Sequence, residues 1–422
     1  MRSLIPFIYF IILMLLPILF DRMGVARLIA IFTYAYIMSI FAISFSLLLG
    51  YLGLLCFGQA LFFGLGAYVT AYQLLWLGIP YPLALIVSAI TGSLMGLAVA
   101  FINRKVFRGI PFTFITLSVL LIFYFLYRRR ELRAISGGEQ GLMIPLPEVF
   151  RSEMLSLVLI LIFVIMLIDA IYVLKRRREV YGDIPTKEKK SVFREILLLC
   201  LVCIVYLLAV AVLTFYIALK PGPFRASINM YIISLTVLCV IYILLRKLLN
   251  TPLALAWIAI RDNEVRAKTM GYNSFMLKTV ALVISGAIAS VAGGLYVLYS
   301  QNINPDSAFS PLISIQALIY SIIGGIYMIE GPIVGAILVT FIERYLAEYF
   351  GGWNMVFVGV MFIIVVFFLA KGVSYYLWVV QNRIFPKLPS IIRGKIGYLI
   401  HFKSIKSFGK YRHMLHRNHR AH

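Results

Sequence analysis

Residues able to do chemistry are scarce in this chain of 422, and few stand where a reaction could be assembled. Cys56, Cys200, Cys203 and Cys239 all lie in apolar runs. Cys200 and Cys203 have the CxxC spacing of a metal or redox pair. Within LLLCLVCIVYLL, however, they lack the turn and the second ligand pair of such a site, and all four cysteines read as small packing residues. The five histidines, His401, His413, His416, His419 and His422, fall in a basic tail without acidic or cysteine ligands, which suits a membrane surface better than a metal. Carboxylates of the kind an ion-coupled carrier places inside its spans reduce to Asp169 near Lys175, Glu343 beside Arg344, and Glu330 in a Gly/Pro cluster. No GxxxxGK[ST] phosphate loop occurs, and no catalytic set, metal site or cofactor is expected.

The densest polar chemistry is WIAIRDNEVRAKTMGYN, residues 257 to 273. Five of the eight residues from Arg261 to Lys268 are charged, yet long apolar runs flank the stretch. At roughly 3 kcal/mol for each charge at a bilayer centre, burying all five in lipid costs about 15 kcal/mol. The segment is therefore aqueous and is expected to touch a partner. It reads as one short amphipathic helix with Ala259, Asn263, Arg266 and Met270 near one face, acid early and base late.

The elements that hold this segment are set by composition. The chain is 62% hydrophobic and 13% charged, too apolar for a soluble globule, and is expected to be an all-α polytopic integral membrane protein. Cutting at charges and at Pro/Gly clusters gives candidate spans 4–20, 30–49, 55–77, 81–101, 111–127, 155–174, 196–219, 229–248, 277–300, 313–329, 332–349 and 353–371. About ten to twelve transmembrane helices are expected, some broken by Gly or Pro. The first run reads as a retained span rather than a cleaved signal. The net charge of +23 sits in loops and one tail, which fits positive loops against anionic lipid and no nucleic-acid partner.

Basic residues set the expected orientation. The tail beyond Asn382 holds ten Lys plus Arg and no acid, and residues 175–195 hold eight basic residues against four acidic. Both are expected in the cytoplasm, which also places residues 103–108, the 257–273 segment and both termini inside. The RRRELR loop, Arg128 to Arg133, then lies outside as one exception.

Two further stretches are rich in glycine. LLLGYLGLLCFGQALFFGLGAY carries Gly50, Gly53, Gly58, Gly64 and Gly66, with Gln59 its strongly polar side chain. Close helix packing explains the glycines, and so does a break lining a path for a polar solute, and the two are compatible. In IGGIYMIEGPIVGA, Gly324, Gly325, Gly331 and Pro332 surround Glu330, which suits either a helix broken at membrane depth or a tight hairpin between two spans.

Together with the SGGEQGL loop, LALAWIAIRDNEVRAKTMGYNSFMLKTVALVISGAIASVAGGLYVLY and EGPIVGAILVTFIE, these stretches resemble the inner-membrane permease subunits of high-affinity branched-chain amino acid ABC importers, LivM type. The resemblance implies a permease without enzymatic activity of its own, moving branched-chain amino acids or a related small polar solute. It implies cytoplasmic ATP-binding subunits, a second permease subunit and an extracytoplasmic solute-binding protein as partners, in addition to membrane lipid. By the same resemblance Arg261, Asp262, Asn263, Glu264, Arg266 and Gly271 form the surface that docks on the ATPase. Gly53, Gly58, Gln59, Gly64, Gly66, Gly324 and Gly325 are the candidate translocation path. The alternative is an ion-coupled secondary transporter of a small polar solute.

The expected organisation is a membrane bundle over 1–127, an external Gly-rich loop over 128–154 and an inserted pair of spans with a basic loop over 155–228. A second bundle follows over 229–373, containing the coupling element 257–273, and a basic cytoplasmic tail over 383–422. The insertion departs from the family pattern, and so does the tail.

Overall fold

The computed structural model describes residues 5–25, 27–107, 109–129, 131, 133, 137–145, 216, 222–350, 356, 359–360, 363 and 372–376. The expected spans 155–174 and 196–219, most of 353–371, the CxxC pair and the basic tail lie outside the described residues. Residues 1–374 form one compact unit, and 375–422 form a second, of which Tyr375 and Tyr376 are described.

The helices are α1 (Ile5–Arg22), α2 (Arg27–Ser46) continued by a π-helical turn (Leu47–Tyr51), α3 (Gln59–Trp76), α4 (Tyr81–Ile102) and α5 (Gly109–Arg128). After the Gly-rich loop come α6 (Gly222–Leu249), α7 (Pro252–Asp262), α8 (Glu264–Thr269), α9 (Ser274–Ser300), α10 (Pro305–Phe309), α11 (Pro311–Gly324) and α12 (Gly331–Phe350). Among the described residues six stretches are long and apolar enough to cross a membrane: Arg27–Tyr51, Tyr81–Ile102, Gly109–Arg128, Phe224–Leu249, Ser274–Ser300 and Pro305–Gly324. The chain is an all-α polytopic membrane protein. A two-residue ladder interrupts the helices, with β1 (Leu142–Met143) antiparallel to β2 (Asn302–Ile303) so that Leu142 faces Ile303.

Two spans are interrupted where the sequence reading has an unbroken helix. The expected span 313–329 begins at Pro305 and ends at Gly324, with a break where Ser310 adopts an extended backbone before Pro311. A helix of α11's length reaches only about 21 Å, so α10 and the break complete the crossing. The expected span 55–77 is helical only from Gln59, because residues 53–58 leave the helix.

Small residues let α9 sit at the centre. A Cβ on Gly293 would lie 1.9 Å from the Phe63 carbonyl oxygen, and one on Gly66 2.1 Å from that of Ser290. Ser290 Oγ donates to the Phe62 carbonyl at 2.7 Å, and Ser88 Oγ donates to that of Ser290 at 3.0 Å. Lipid gives no hydrophobic drive for helices to associate, so close backbone approach and such cross-helix hydrogen bonds hold the bundle together. The outward faces of α4 and α5 present Ile86, Ile90, Leu94, Phe114, Ile122 and Phe125, as lipid contact requires.

The spanning segments alternate in direction, which gathers the loops at two ends. One end carries the π turn, the α4–α5 loop, α7, α8 and the 325–330 turn. The other carries the Gly-rich loop with β1 and β2, where Arg128 lies 3.6 Å from Asp306 and donates to the Tyr124 hydroxyl at 2.7 Å.

Candidate coupling element and translocation path

Pro252 opens α7, where its missing N–H costs nothing. Ala254, Ala256, Trp257 and Ile260 turn inward, and the Trp257 indole donates to the Leu277 carbonyl of α9 at 3.0 Å. The helix stops at Asn263, whose backbone is extended (φ −159°, ψ 101°) and whose Oδ1 accepts from the Arg266 amide at 3.0 Å. The expected single amphipathic helix is therefore two helices, because Asn offers the backbone a competing cap in mid-segment. Gly271, at φ +88°, follows α8 and turns the chain toward α9.

The six expected docking residues divide into two groups. Asp262, Asn263, Arg266 and Gly271 are exposed. Arg261 and Glu264 instead point into the protein, with 15% and 16% of their side chains exposed. Arg261 donates to the Gly50 carbonyl at 2.5 Å, meets Asp262 at 3.2 Å and lies over the Tyr327 ring at 5.3 Å. Gly53 makes room for it, since a Cβ there would lie 2.9 Å from Arg261 Cγ. Glu264 accepts from Lys278 at 2.8 Å and pairs with Lys268 at 3.1 Å, while Lys278 also donates to the Phe107 carbonyl at 2.5 Å. Burial pushes the Glu264 carboxyl up, but the hydrogen bonds and charges of Lys278 and Lys268 outweigh it and hold the group below its ordinary range.

Sequence reasoning passed over Val265. Val265 and Met270 are 64% and 73% exposed, apolar side chains set among charges on a water-facing element.

The glycine-rich stretch joins the same end of the bundle. Gly50 admits the Ile326 carbonyl, whose oxygen would lie 2.0 Å from a Cβ there, and Ser46 Oγ donates to the same oxygen at 3.2 Å. Residues 53–58 then run without helix. Thr113 Oγ donates to the Leu55 carbonyl at 2.9 Å, and Gly58 packs on the Thr116 backbone. At the start of α3, Gln59 is fully buried. Its Nε2 donates to Ser44 Oγ at 2.7 Å and Ser285 Oγ at 2.8 Å, and Ser285 Oγ donates to the Ser44 carbonyl at 2.7 Å. Gln59 Oε1 has no partner among the described residues. Ser285 is about 16 Å along α9 from its start, so this polar cluster and the helix break beside it lie deep in the bundle.

The remaining candidate path glycines lie at helix contacts. Gly64 faces the Phe309 ring at the α10–α11 break, Gly66 faces Ser290, and Gly324 faces the Gly331 carbonyl. Residues 325–330 form a tight turn between α11 and α12, with Gly325 at φ +115° and Gly331 N–H bonded to the Met328 carbonyl at 3.0 Å. Glu330, in that turn, accepts from the Tyr242 hydroxyl at 2.8 Å.

The sequence pattern of a family described as the branched-chain amino acid transport system / permease component matches residues 27–366, which include the coupling segment and both glycine-rich stretches. The chain belongs to this family. The permease is 24% identical over 349 residues to the high-affinity branched-chain amino acid transport system permease protein LivM of Salmonella typhimurium, covering 82% of this chain and 68% of that protein. It is 27% identical over 157 residues to LivM of Escherichia coli, which is 37% of this chain and 36% of that protein. A probable LivH permease protein of Methanocaldococcus jannaschii is 34% identical over 129 residues, 30% of this chain and 39% of that protein. The match thus spans about a third of the length of the E. coli relative. No solved structure matches the permease.

Proposed function

We propose that this permease moves branched-chain amino acids or a related small polar solute across the cell membrane, driven by separate ATP-binding subunits that dock on α7 and α8. The chain itself carries out no covalent step. The observation that carries the proposal is the junction at Arg261, which ties the exposed helices α7 and α8 to the π turn and to the 325–330 turn at once. A push on α7 is thereby delivered to the broken part of the Gly-rich stretch. Asp262, Asn263, Arg266 and Gly271, together with Val265 and Met270, are the surface offered to the ATPase. Arg261 and Glu264 hold that surface in place from behind.

The solute path runs beside Gly53, Gly58 and Gln59, where the chain leaves the helix. Gly64, Gly66, Gly324 and Gly325 shape the path by letting its walls approach closely. The docking end faces the cytoplasm with both termini, as the basic loops require. A second permease subunit completes the membrane unit, and a solute-binding protein delivers cargo on the opposite face. The chain divides functionally at the boundaries expected from the sequence, with 257–273 as the coupling element of the second bundle.

Reconstitution with ATP-binding subunits recovered by mild-detergent co-purification tests this. ATP-dependent uptake is expected. Uptake that survives ATP depletion but collapses with an ion gradient, with no ATPase recovered, would establish the ion-coupled alternative instead.

A further inference from the structure

A cleft of about 540 Å³ opens between the α4–α5 loop and the start of α9, large enough for one polar headgroup. Arg104, Lys105, Lys268 and Lys278 line it against the single carboxylate of Glu264, which is shared by Lys268 and Lys278. The cleft is therefore strongly cationic. Lys278 is only 2% exposed, so part of that charge is built into the wall. Arg104 is stacked 5.7 Å over the Phe275 ring, which fixes a guanidinium at the cleft.

The floor is polar and incompletely satisfied. Ser274, the first residue of α9, lines the cleft, is 3% exposed, and its Oγ has no hydrogen-bond partner among the described residues. The first amide bonded back along this helix is that of Leu277, to the Asn273 carbonyl, so the amides of Ser274 and Phe275 lie ahead of the helical ladder. A 27-residue helix places its positive end here. Cations, a buried hydroxyl and a helix N-terminus converge on one volume, and their shared complement is a phosphate-class anion.

The surroundings select its source. Phe101 and Ile102, which precede the loop, and Met276, which follows the floor, are 57%, 58% and 62% exposed. Exposed apolar side chains on two spanning helices put the cleft at the boundary between hydrocarbon and headgroups. We propose that the cleft between the α4–α5 loop and the start of α9 binds the phosphodiester headgroup of an anionic membrane lipid. A lipid seated there would touch Lys268 of α8 and Arg104 of the loop together, and so fix the coupling element against the bundle. The inference rests on membrane placement and not on ATPase docking, so it is read on the isolated chain.

The test is lipid retention by the full chain purified in mild detergent, measured by native mass spectrometry after addition of phosphatidylglycerol or phosphatidylcholine, with inorganic phosphate as competitor. One phosphatidylglycerol is expected to be retained in preference to phosphatidylcholine and to resist millimolar phosphate. The Arg104→Gln/Lys105→Gln pair is expected to weaken retention about thirty-fold. Ser274→Ala, which removes a hydroxyl with no hydrogen-bond partner among the described residues, is expected to weaken it about ten-fold. Arg246→Gln, at the same end but away from the cleft, is expected to change nothing. Equal retention of the two lipids overturns the proposal, as does undiminished phosphatidylglycerol retention by Ser274→Ala. Displacement by inorganic phosphate also overturns it, and assigns the cleft to a soluble anion.

Discussion

Arg261 and Gly50, 211 residues apart, are joined by a 2.5 Å hydrogen bond from the guanidinium to the carbonyl. The bond links the charged segment and the glycine-rich stretch, the two unusual features of the sequence. A charge-assisted hydrogen bond of this kind contributes about 1.5–3 kcal/mol. If nucleotide-driven motion passes through it, Arg261→Ala lowers uptake about ten- to a hundred-fold while protein level holds. Arg261→Lys restores only part, since an ammonium has no planar fork to lie over Tyr327 and reach Gly50 together. Normal transport by Arg261→Ala in reconstituted vesicles would remove the junction from the mechanism.

Glu264 and Lys278 give a pH prediction. The Glu264 carboxyl titrates below its ordinary range in the folded protein. A depressed folded pKa means that the stabilisation is full above the unfolded value, near 4.3, and is lost as pH falls through the folded value. The midpoint of thermal unfolding is expected to hold from neutral pH to about 5 and to drop below about 4. Glu264→Gln is expected to cost about 3–5 kcal/mol at neutral pH, because it leaves the 3%-exposed Lys278 side chain without its carboxylate. It also removes the acid-dependent part of the drop. Glu264→Gln with Lys278→Met is expected to be more stable than Glu264→Gln alone. An unchanged acid response in Glu264→Gln would assign the pH effect to another group.

Much of this arrangement was legible in the sequence, because hydrocarbon imposes its length and polarity on every span. The runs that became α4, α5, α6 and α9 were read to within a few residues, except that α6 begins seven residues early. What escaped reading depends on contacts distant in sequence. In the non-helical 53–58 stretch and at the start of α3, side chains satisfy the freed backbone, Thr113 at the Leu55 carbonyl and Ser314 at the Ala60 amide. Gln59 stood out as polar, yet nothing in its neighbourhood announced Ser285 as its partner, 226 residues away. The inward turn of Glu264 did have a signal. Lys278 is a cation one turn into a long apolar helix, and such a cation needs a counter-ion nearby.

Glycine packing at α9 predicts an asymmetric response to small substitutions. A Cβ on Gly293 or Gly66 would strike backbone at 1.9 Å and 2.1 Å, and backbone cannot rotate away as a side-chain end can. Gly293→Ala and Gly66→Ala are each expected to destabilise by about 1–3 kcal/mol, seen as a lower unfolding midpoint in detergent. Ile90→Ala, which removes far more mass but from the exposed face of α4, is expected to change it little. Similar midpoints for all three would mean that α3, α4 and α9 are not packed this closely.

Gln59 separates a path from mere packing. Its Nε2 spends two hydrogen bonds on Ser44 and Ser285, while Oε1 is buried without a partner among the described residues. An unmet acceptor deep in a membrane bundle is costly, by about 1–3 kcal/mol, and a solute carrying an ammonium or amide donor would relieve that cost as it passes. Gln59→Leu keeps similar bulk, removes the acceptor, and leaves the Ser285 to Ser44 carbonyl bond in place. If Gln59 meets the solute, this variant assembles with the ATPase and hydrolyses ATP, yet its uptake falls at least about ten-fold. If the residue only packs, uptake stays at the wild-type rate and the change is confined to the midpoint of unfolding, where the two lost Nε2 hydrogen bonds oppose the relief of the unsatisfied Oε1. The two outcomes move uptake and stability differently, so one preparation measured both ways decides between them.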